Sequence, residues 1–246
     1  MVSKSQIKLI SSLQQKKGRL RSGLFAVEGI KGINDLLDSE IELFKLFTTQ
    51  DIFSSPKEKT HFINEEELKR ISNLITPQVA VGIFKIPQSI FKSSEEEFIL
   101  ALDGVRDPGN LGTIIRLCDW FGVETLVCSK DTVDCYNPKV VQATMGSIAR
   151  VRIFYEDLPR FIDKINLPII GSFLEGENIY RATLPLKGLL VMGNEANGIS
   201  EQVENLIQLK LHIPQFGKIK QTESLNVAMA TSIFLSEFKR SNFTGK

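Results

Sequence analysis

Residues Phe98-Ile99-Leu100-Ala101-Leu102-Asp103-Gly104-Val105-Arg106-Asp107-Pro108-Gly109-Asn110-Leu111-Gly112-Thr113-Ile114-Ile115-Arg116 decide the fold. An apolar run that stops in a turn-rich loop predicts a strand buried on both faces. Behind the loop, Leu111, Ile114, Ile115 and Cys118 fall on one stripe, which predicts a helix from about Asn110, with Asn110 as its expected cap. The same alternation continues downstream. Strands are expected at 125–127, 151–154, 168–173, 189–192 and 208–213, and helices at 138–147, 158–165, from Ser200 and from Ser224. Apolar strands alternating with helices imply an α/β fold with a parallel sheet covered on both faces.

Upstream the pattern is looser. A helix is expected over 3–16, with Ile7, Leu9, Ile10 and Leu13 as its apolar stripe, broken by Lys16-Lys17-Gly18-Arg19. Strands at 24–27, 43–48 and 78–86 and helices at 29–37 and 64–74 complete a smaller α/β unit. The polar stretch 87–97 reads as a linker, which divides the chain into domains 1–92 and 93–246. Hydrophobic residues make up 42% of the 246 and charged residues 24%, values that exclude disorder, collagen and coiled coil as the main architecture. No apolar run approaches the roughly 18 residues of a membrane span, and the N-terminus has no signal-peptide core. A cytoplasmic protein is expected. Cys118, Cys128 and Cys135 form no CxxC and are read as buried thiols. With only His61 and His212 beside them, neither a disulfide scaffold nor a metal site is expected.

Net charge is +1, but it is unevenly spread. Lys4, Lys8, Lys16, Lys17, Arg19 and Arg21 all precede the first acidic residue, so a basic arm sits on a net acidic remainder. That arm either meets a polyanion or is a solvated helix.

Ligands of open α/β sheets bind beyond the carboxyl ends of the strands, and three unusual loops lie there. In the first, Arg116 is placed one turn beyond the bare Gly112 and leans toward the loop; the alternative is a surface ion pair with Asp119. The second is Met192-Gly193-Asn194-Glu195-Ala196-Asn197-Gly198-Ile199-Ser200. Its glycine spacing approaches a phosphate-binding loop, but Ile199 stands where the lysine must be, and Gly104–Gly109 fails in the same way with Asn110. No G-x-G-x-x-G is present. The third runs from Ile213-Pro214-Gln215-Phe216-Gly217 to Ser224-Leu225-Asn226-Val227-Ala228, where Ser224 is the expected cap and Asn226 a poor helix former in the first turn. Met145-Gly146-Ser147-Ile148-Ala149 is not a nucleophile elbow, because Ala149 replaces its second glycine.

Together, Asn110-Leu111-Gly112 with Arg116, Gly193-Asn194-Glu195 through Gly198, and Ile213-Pro214 with Ser224-Leu225-Asn226-Val227 resemble the three motifs of the SpoU/TrmH family. This is a family of S-adenosylmethionine-dependent RNA ribose 2′-O-methyltransferases within the SPOUT superfamily. Lys16-Lys17-Gly18-Arg19 followed by Phe25-Ala26-Val27-Glu28-Gly29 is similar to the family's RNA-binding extension. The resemblance implies a C-terminal trefoil knot, which sequence rules alone would not propose. It also implies an N-terminal domain similar to ribosomal protein L30e, and a homodimer.

By resemblance, the catalytic residues are Arg116, Asn110, Glu195, Ser224 and Asn226. An arginine is an awkward general base, so Arg116 is read as a clamp on the target nucleotide's phosphate, with Glu195 holding its guanidinium; proton acceptance by Arg116 is the alternative. S-adenosylmethionine would lie against Ser172, Phe173, Leu174, Met192, Gly193, Asn194, Gly198, Ile213 and Leu225. Lys16, Arg19 and Arg21 would bind RNA, ribosomal RNA in preference. A transfer-RNA enzyme and a non-catalytic RNA-binding protein of the same fold are the alternatives, together with a nucleotide-dependent enzyme. In the C-terminal helix, small Ala228, Ala230 and Thr231 beside large Phe234, Leu235 and Phe238 offer the means to dimerise. The chain between Ile213 and Leu225 is longer than the family pattern and adds Lys218 and Lys220.

Overall fold

The computed structural model describes residues 1–88, 91, 98–217 and 224–241. Most of the expected linker, and the added Lys218 and Lys220, lie outside these. The elements in chain order are α1 (Lys4–Ser12), α2 (Lys16–Ser22), β1 (Leu24–Glu28), α3 (Ile30–Leu37), β2 (Leu43–Thr48), β3 (Thr60–Phe62), α4 (Glu65–Ile71) and β4 (Ala80–Lys85). They continue as β5 (Phe98–Leu102), α5 (Pro108–Phe121), β6 (Thr125–Ser129), α6 (Pro138–Thr144), β7 (Arg152–Glu156), α7 (Leu158–Ile162) and β8 (Ile169–Asn178). Last come β9 (Gly188–Met192), α8 (Glu201–Glu204), β10 (Leu209–His212) and α9 (Val227–Ser241).

Two compact units result, 1–89 with 134–150, and 90–133 with 151–246. In the first, four strands pair in the order β1-β4-β2-β3, with β4 antiparallel to both neighbours and β3 parallel to β2. Ser3 opens α1 through a capping box with Gln6, and Ile10 and Leu13 are buried from the expected stripe. The short edge strand β3 was not foreseen. Lys16-Lys17-Gly18-Arg19 does not end in a loop but starts α2. There Gly18 lies so close to α1 that a Cβ would stand 2.0 Å from the Ser12 carbonyl oxygen, an approach that only glycine allows.

The segment 134–150, read from sequence as part of the second domain, packs with the N-terminal unit. The Phe25 and Tyr136 rings meet at a tilt, 4.7 Å between centroids, Arg150 pairs with Asp35 at 3.4 Å, and Arg19 reaches Asp134. That last contact overturns the expectation that Arg19 binds RNA. Its side chain is 2% exposed, with Nε and Nη2 donating to one carboxylate oxygen of Asp134 at 3.0 and 2.6 Å and Nη1 to the Leu13 carbonyl at 2.7 Å. Lys16 and Arg21 are exposed, as expected.

The second unit is an all-parallel, six-stranded sheet in the order β10-β8-β9-β5-β6-β7. Alternate residues take opposite faces. Ile99, Ala101, Val127, Leu189 and Val191 bury against Leu158, Phe161 and Ile162 of α7. Phe98, Leu100 and Leu102 take the other face, where the Phe98 and Phe238 rings lie 5.0 Å apart and α5 packs on α9. Leu111, Ile114, Ile115 and Cys118 are fully buried, as the stripe requires. All three cysteines are buried free thiols, and burial pushes the Cys118 thiol far up. Phe234, Leu235 and Phe238 are equally buried within the chain. They are core, so these three side chains are not available to a partner.

Candidate functional site

The carboxyl edge of this sheet is built from main-chain turns. After β5 the Asp103 N–H bonds the Met192 carbonyl at 2.9 Å, carrying the β5–β9 pairing one residue further. The Asp103 carboxylate accepts from the Ser200 N–H at 2.7 Å, which fixes the end of the second loop. Sequence reasoning assigned Asp103 no role. Its only signal is an acid at a strand's carboxyl end.

The expected caps shift by a few residues. Asp107, not Asn110, caps α5: its Oδ1 accepts from the Asn110 N–H at 2.8 Å, with Pro108 in the first turn. Asn110 is thereby set in the first turn with its side-chain amide free for other work. Asn226, not Ser224, caps α9. Its carbonyl takes the first helical bond from Ala230, and its Oδ1 accepts from Ala228 and Met229 N–H at 3.0 and 3.3 Å. Ser224 is exposed and makes no hydrogen bond among the described residues.

These shifts join the three loops. With its oxygen committed to the cap, Asn226 presents its NH2, and Nδ2 donates to Asn110 Oδ1 at 2.9 Å. Asn110 Nδ2 in turn donates to Glu195 Oε1 at 2.7 Å. The polar chain thus runs from the α9 main chain through Asn226 and Asn110 to a carboxylate, one residue from each loop. Arg116 stands apart from it. It lies six residues beyond Asn110, about 9 Å along the axis, is exposed, and has no hydrogen-bond or ion-pair partner among the described residues. Neither the Asp119 pair nor the expected Glu195–guanidinium contact forms, because Glu195 bonds Asn110 instead.

The second loop is closed by its own backbone. Asn194 and Gly198 exchange both main-chain hydrogen bonds at 2.9 Å. Gly198 has φ +69°, and a Cβ on Gly193 would stand 2.3 Å from the Gly198 carbonyl carbon. The Asn194 Oδ1 accepts from Ala196 and Asn197 N–H at 2.9 and 3.1 Å. Nearby, β8 leaves the sheet. Its β10 partner jumps from Gly171 to Glu177, so residues 172–176 form an excursion beyond the sheet edge. Ser172 and Phe173 are half-buried there and Leu174 is exposed. The Phe173 ring packs on the core with the Lys210 ammonium 4.7 Å from its centroid. Met192 is buried, Ile213 half-buried and Leu225 51% exposed. Among the described residues, no cluster of metal ligands occurs and no helix is long and apolar enough to cross a membrane.

An open parallel sheet whose carboxyl-edge loops converge on a polar chain defines an α/β enzyme domain with its site at that edge. Residues 97–236 match the SpoU rRNA Methylase family, and residues 4–82 match the MRM3-like substrate binding domain. The chain belongs to the SpoU rRNA methylase family. It is 38% identical to a solved RNA methyltransferase of the TrmH family from Porphyromonas gingivalis, with a TM-score of 0.90 over 98% of this chain and 99% of that one. The AdoMet-bound rRNA methyltransferase of Sinorhizobium meliloti is 32% identical, with a TM-score of 0.87 over 99% and 98%. The 23S rRNA (guanosine(2553)-2'-O)-methyltransferase RlmP of Bacillus subtilis is 26% identical over 94% of each chain.

Proposed function

We propose that the chain transfers a methyl group from S-adenosylmethionine to a ribose 2′-hydroxyl of ribosomal RNA. The observation that carries this reading is the Asn226–Asn110–Glu195 chain, which ties together the three loops that the family resemblance singled out. The names of the relatives, which act on rRNA, support the substrate class.

The loops suit the methyl donor chemically. Main-chain carbonyls of the closed turn at Gly193–Gly198 and the main chain at 172–174, beside Met192, Ile213 and Leu225, offer hydrogen bonds and apolar cover without a phosphate-binding lysine. When bound, S-adenosylmethionine supplies an activated methyl group on a sulfonium. The chain's own residues then have to hold the ribose hydroxyl in line, a positioning effect that contributes up to roughly 7–11 kcal/mol in ideal cases. Arg116, a fixed cation with a planar fork of donors, clamps the phosphate of the target nucleotide; a guanidinium has donors and no acceptor, which suits it to this role and not to taking a proton. The Asn226–Asn110–Glu195 chain orients the ribose, with Glu195 presenting acceptor oxygens toward its hydroxyl. Ser224 flanks this site.

The N-terminal unit, whose sheet we read as L30e-like, takes the RNA, with Lys16 and Arg21 on its surface. The C-terminal segment from β9 to α9 is read as a trefoil knot and the enzyme as a cytoplasmic homodimer. Support for a dimer moves from Phe234, Leu235 and Phe238 to Trp120 on α5 and Met229 on α9, both exposed. Light scattering should give twice the chain mass.

Transfer of labelled methyl from S-adenosylmethionine to rRNA, followed by mapping of the 2′-O-methyl group, tests the function directly. A folded protein that binds no S-adenosylmethionine by calorimetry sinks it. Two further outcomes are expected. Gly193→Ala should weaken cofactor binding at least tenfold with an unchanged far-UV spectrum, because the loop cannot close over the new methyl; undiminished affinity places the cofactor elsewhere. Lys16→Gln with Arg21→Gln should weaken RNA binding and lower its log–log salt slope by about 1.4–1.8, as two phosphate contacts are lost. An unchanged slope returns the arm to a solvated helix.

A further inference from the structure

The main chain at Gly104 is gripped from both sides. Its carbonyl accepts from Asn194 Nδ2 at 2.6 Å, which links it to the second loop. Its N–H donates to Ser129 Oγ at 2.8 Å. Gly104 has φ +74°, and a Cβ there would meet an Asp131 carboxylate oxygen at 3.1 Å, so the two loops close tightly on each other. Ser129, the last residue of β6, is buried, and its hydroxyl donates to Asp131 Oδ1 at 2.6 Å. The buried Thr132 hydroxyl stands 2.9 Å from Ser129 Oγ and 3.3 Å from the Leu102 carbonyl. On the outer side Arg106 pairs with Asp131 at 3.3 Å. Ser129, Asp131 and Thr132 lie outside the three motif loops, and their bonds described here do not reach the polar chain through Asn110.

The geometry points to Ser129 and Asp131 as positioning residues for the Gly193–Gly198 loop, acting through the Gly104 peptide and Asn194. A hydroxyl has one proton to give. The Asp131 carboxylate takes it, so Ser129 must offer a lone pair to the Gly104 N–H. The carboxyl is kept ionised in this role. The Ser129 hydroxyl, and after a burial penalty of opposite sign the Arg106 guanidinium, hold it below the ordinary aspartate range. Gly104 is thereby oriented with its carbonyl toward Asn194. That bond uses the Asn194 NH2 and leaves its Oδ1 to gather the Ala196 and Asn197 N–H groups. Four hydrogen bonds thus lead from a surface carboxylate to the main chain of the loop read above as the cofactor's, and the inference rests on that reading.

The test uses the full-length protein and its Ser129→Ala, Ser129→Thr and Asp131→Asn variants. Three quantities are measured on each: S-adenosylmethionine affinity by calorimetry, RNA affinity, and amide hydrogen exchange at Ala196–Gly198 without ligand. Ser129→Ala should raise the cofactor Kd about tenfold, the effect of one lost buried hydrogen bond, and speed exchange in the loop while RNA affinity stays unchanged. Ser129→Thr, which keeps the hydroxyl, should restore both. Asp131→Asn, at an exposed position that folding tolerates, should show the same loss to a smaller extent and carries the test if Ser129→Ala does not fold. Wild-type cofactor affinity and loop exchange in the variants overturn the proposal, as does a lowered melting point with both of these unchanged. Wild-type protein that takes up no S-adenosylmethionine overturns the cofactor reading, and loop exchange then still decides whether Ser129 and Asp131 hold the loop.

Discussion

Replacement of Arg116 by alanine is expected to slow methyl transfer by about 10²–10³-fold, the range seen when one preorganised charge or donor is removed from a reacting centre. Folding and cofactor affinity should stay at wild-type values. The stability half of this expectation follows from exposure: Arg116 projects from α5 with no partner among the described residues, and such surface changes stay within about ±0.5 kcal/mol. The activity half follows from the same fact. A cation on the same rigid helix as Asn110, without a partner among the described residues, is available to meet an anion. Arg116→Lys separates charge from shape. Lysine keeps the charge but loses the planar fork, so a bidentate phosphate clamp predicts a loss of at least tenfold. Near-full activity of Arg116→Lys would reject the bidentate clamp, and tighter or looser cofactor binding in Arg116→Ala would move Arg116 out of the RNA site.

The three loops were legible in the sequence because polar and glycine residues follow uninterrupted apolar strands, a combination that a plain packing role does not require. The order β5, β6, β7, β8, β9, β10 was equally legible from the runs themselves. The caps were not. Asp107, Asn110, Ser224 and Asn226 are all good capping types, and which one closes a helix depends on where the chain enters it. That small error matters: moving the cap from Ser224 to Asn226 is what turns an odd first-turn residue into the link between α9 and Asn110. The excursion at 172–176 was legible only through the family resemblance at Ser172-Phe173-Leu174, since an apolar run carries no mark for where a strand leaves its neighbour. Phe234, Leu235 and Phe238 misled for the opposite reason, because periodicity places apolar residues on a face without saying whether that face meets the same chain or another. Arg19 lies within a run of cations that reads as a solvated surface, and the carboxylate that claims it is 115 residues away in sequence.

That burial sets the second large effect. Asp134→Ala is expected to destabilise the N-terminal unit by about 3 kcal/mol, because removing one partner strands the other's charge in the interior. Arg19 is 2% exposed and Asp134 16%, so the arginine cannot recover its water shell where it stands. The remaining bond to the Leu13 carbonyl satisfies only one of its nitrogens. The figure is set at the low end of the usual 3–5 kcal/mol because Asp134 lies near the surface and admits some water. Part of it is local: Asp134 Oδ1 also accepts from the Tyr136 N–H at 2.9 Å, which shapes the turn into α6. Replacing both partners by apolar residues, Arg19→Met with Asp134→Leu, removes the stranded charge and should recover a good share of the loss, so the double variant should unfold at higher denaturant than Asp134→Ala. RNA affinity supplies the contrast. Arg19→Met should leave the salt slope of RNA binding unchanged while lowering stability, the reverse of Lys16→Gln with Arg21→Gln. An Arg19→Met protein with a wild-type unfolding midpoint and a reduced salt slope would return Arg19 to the RNA-binding surface and remove the ion pair from the core of this unit.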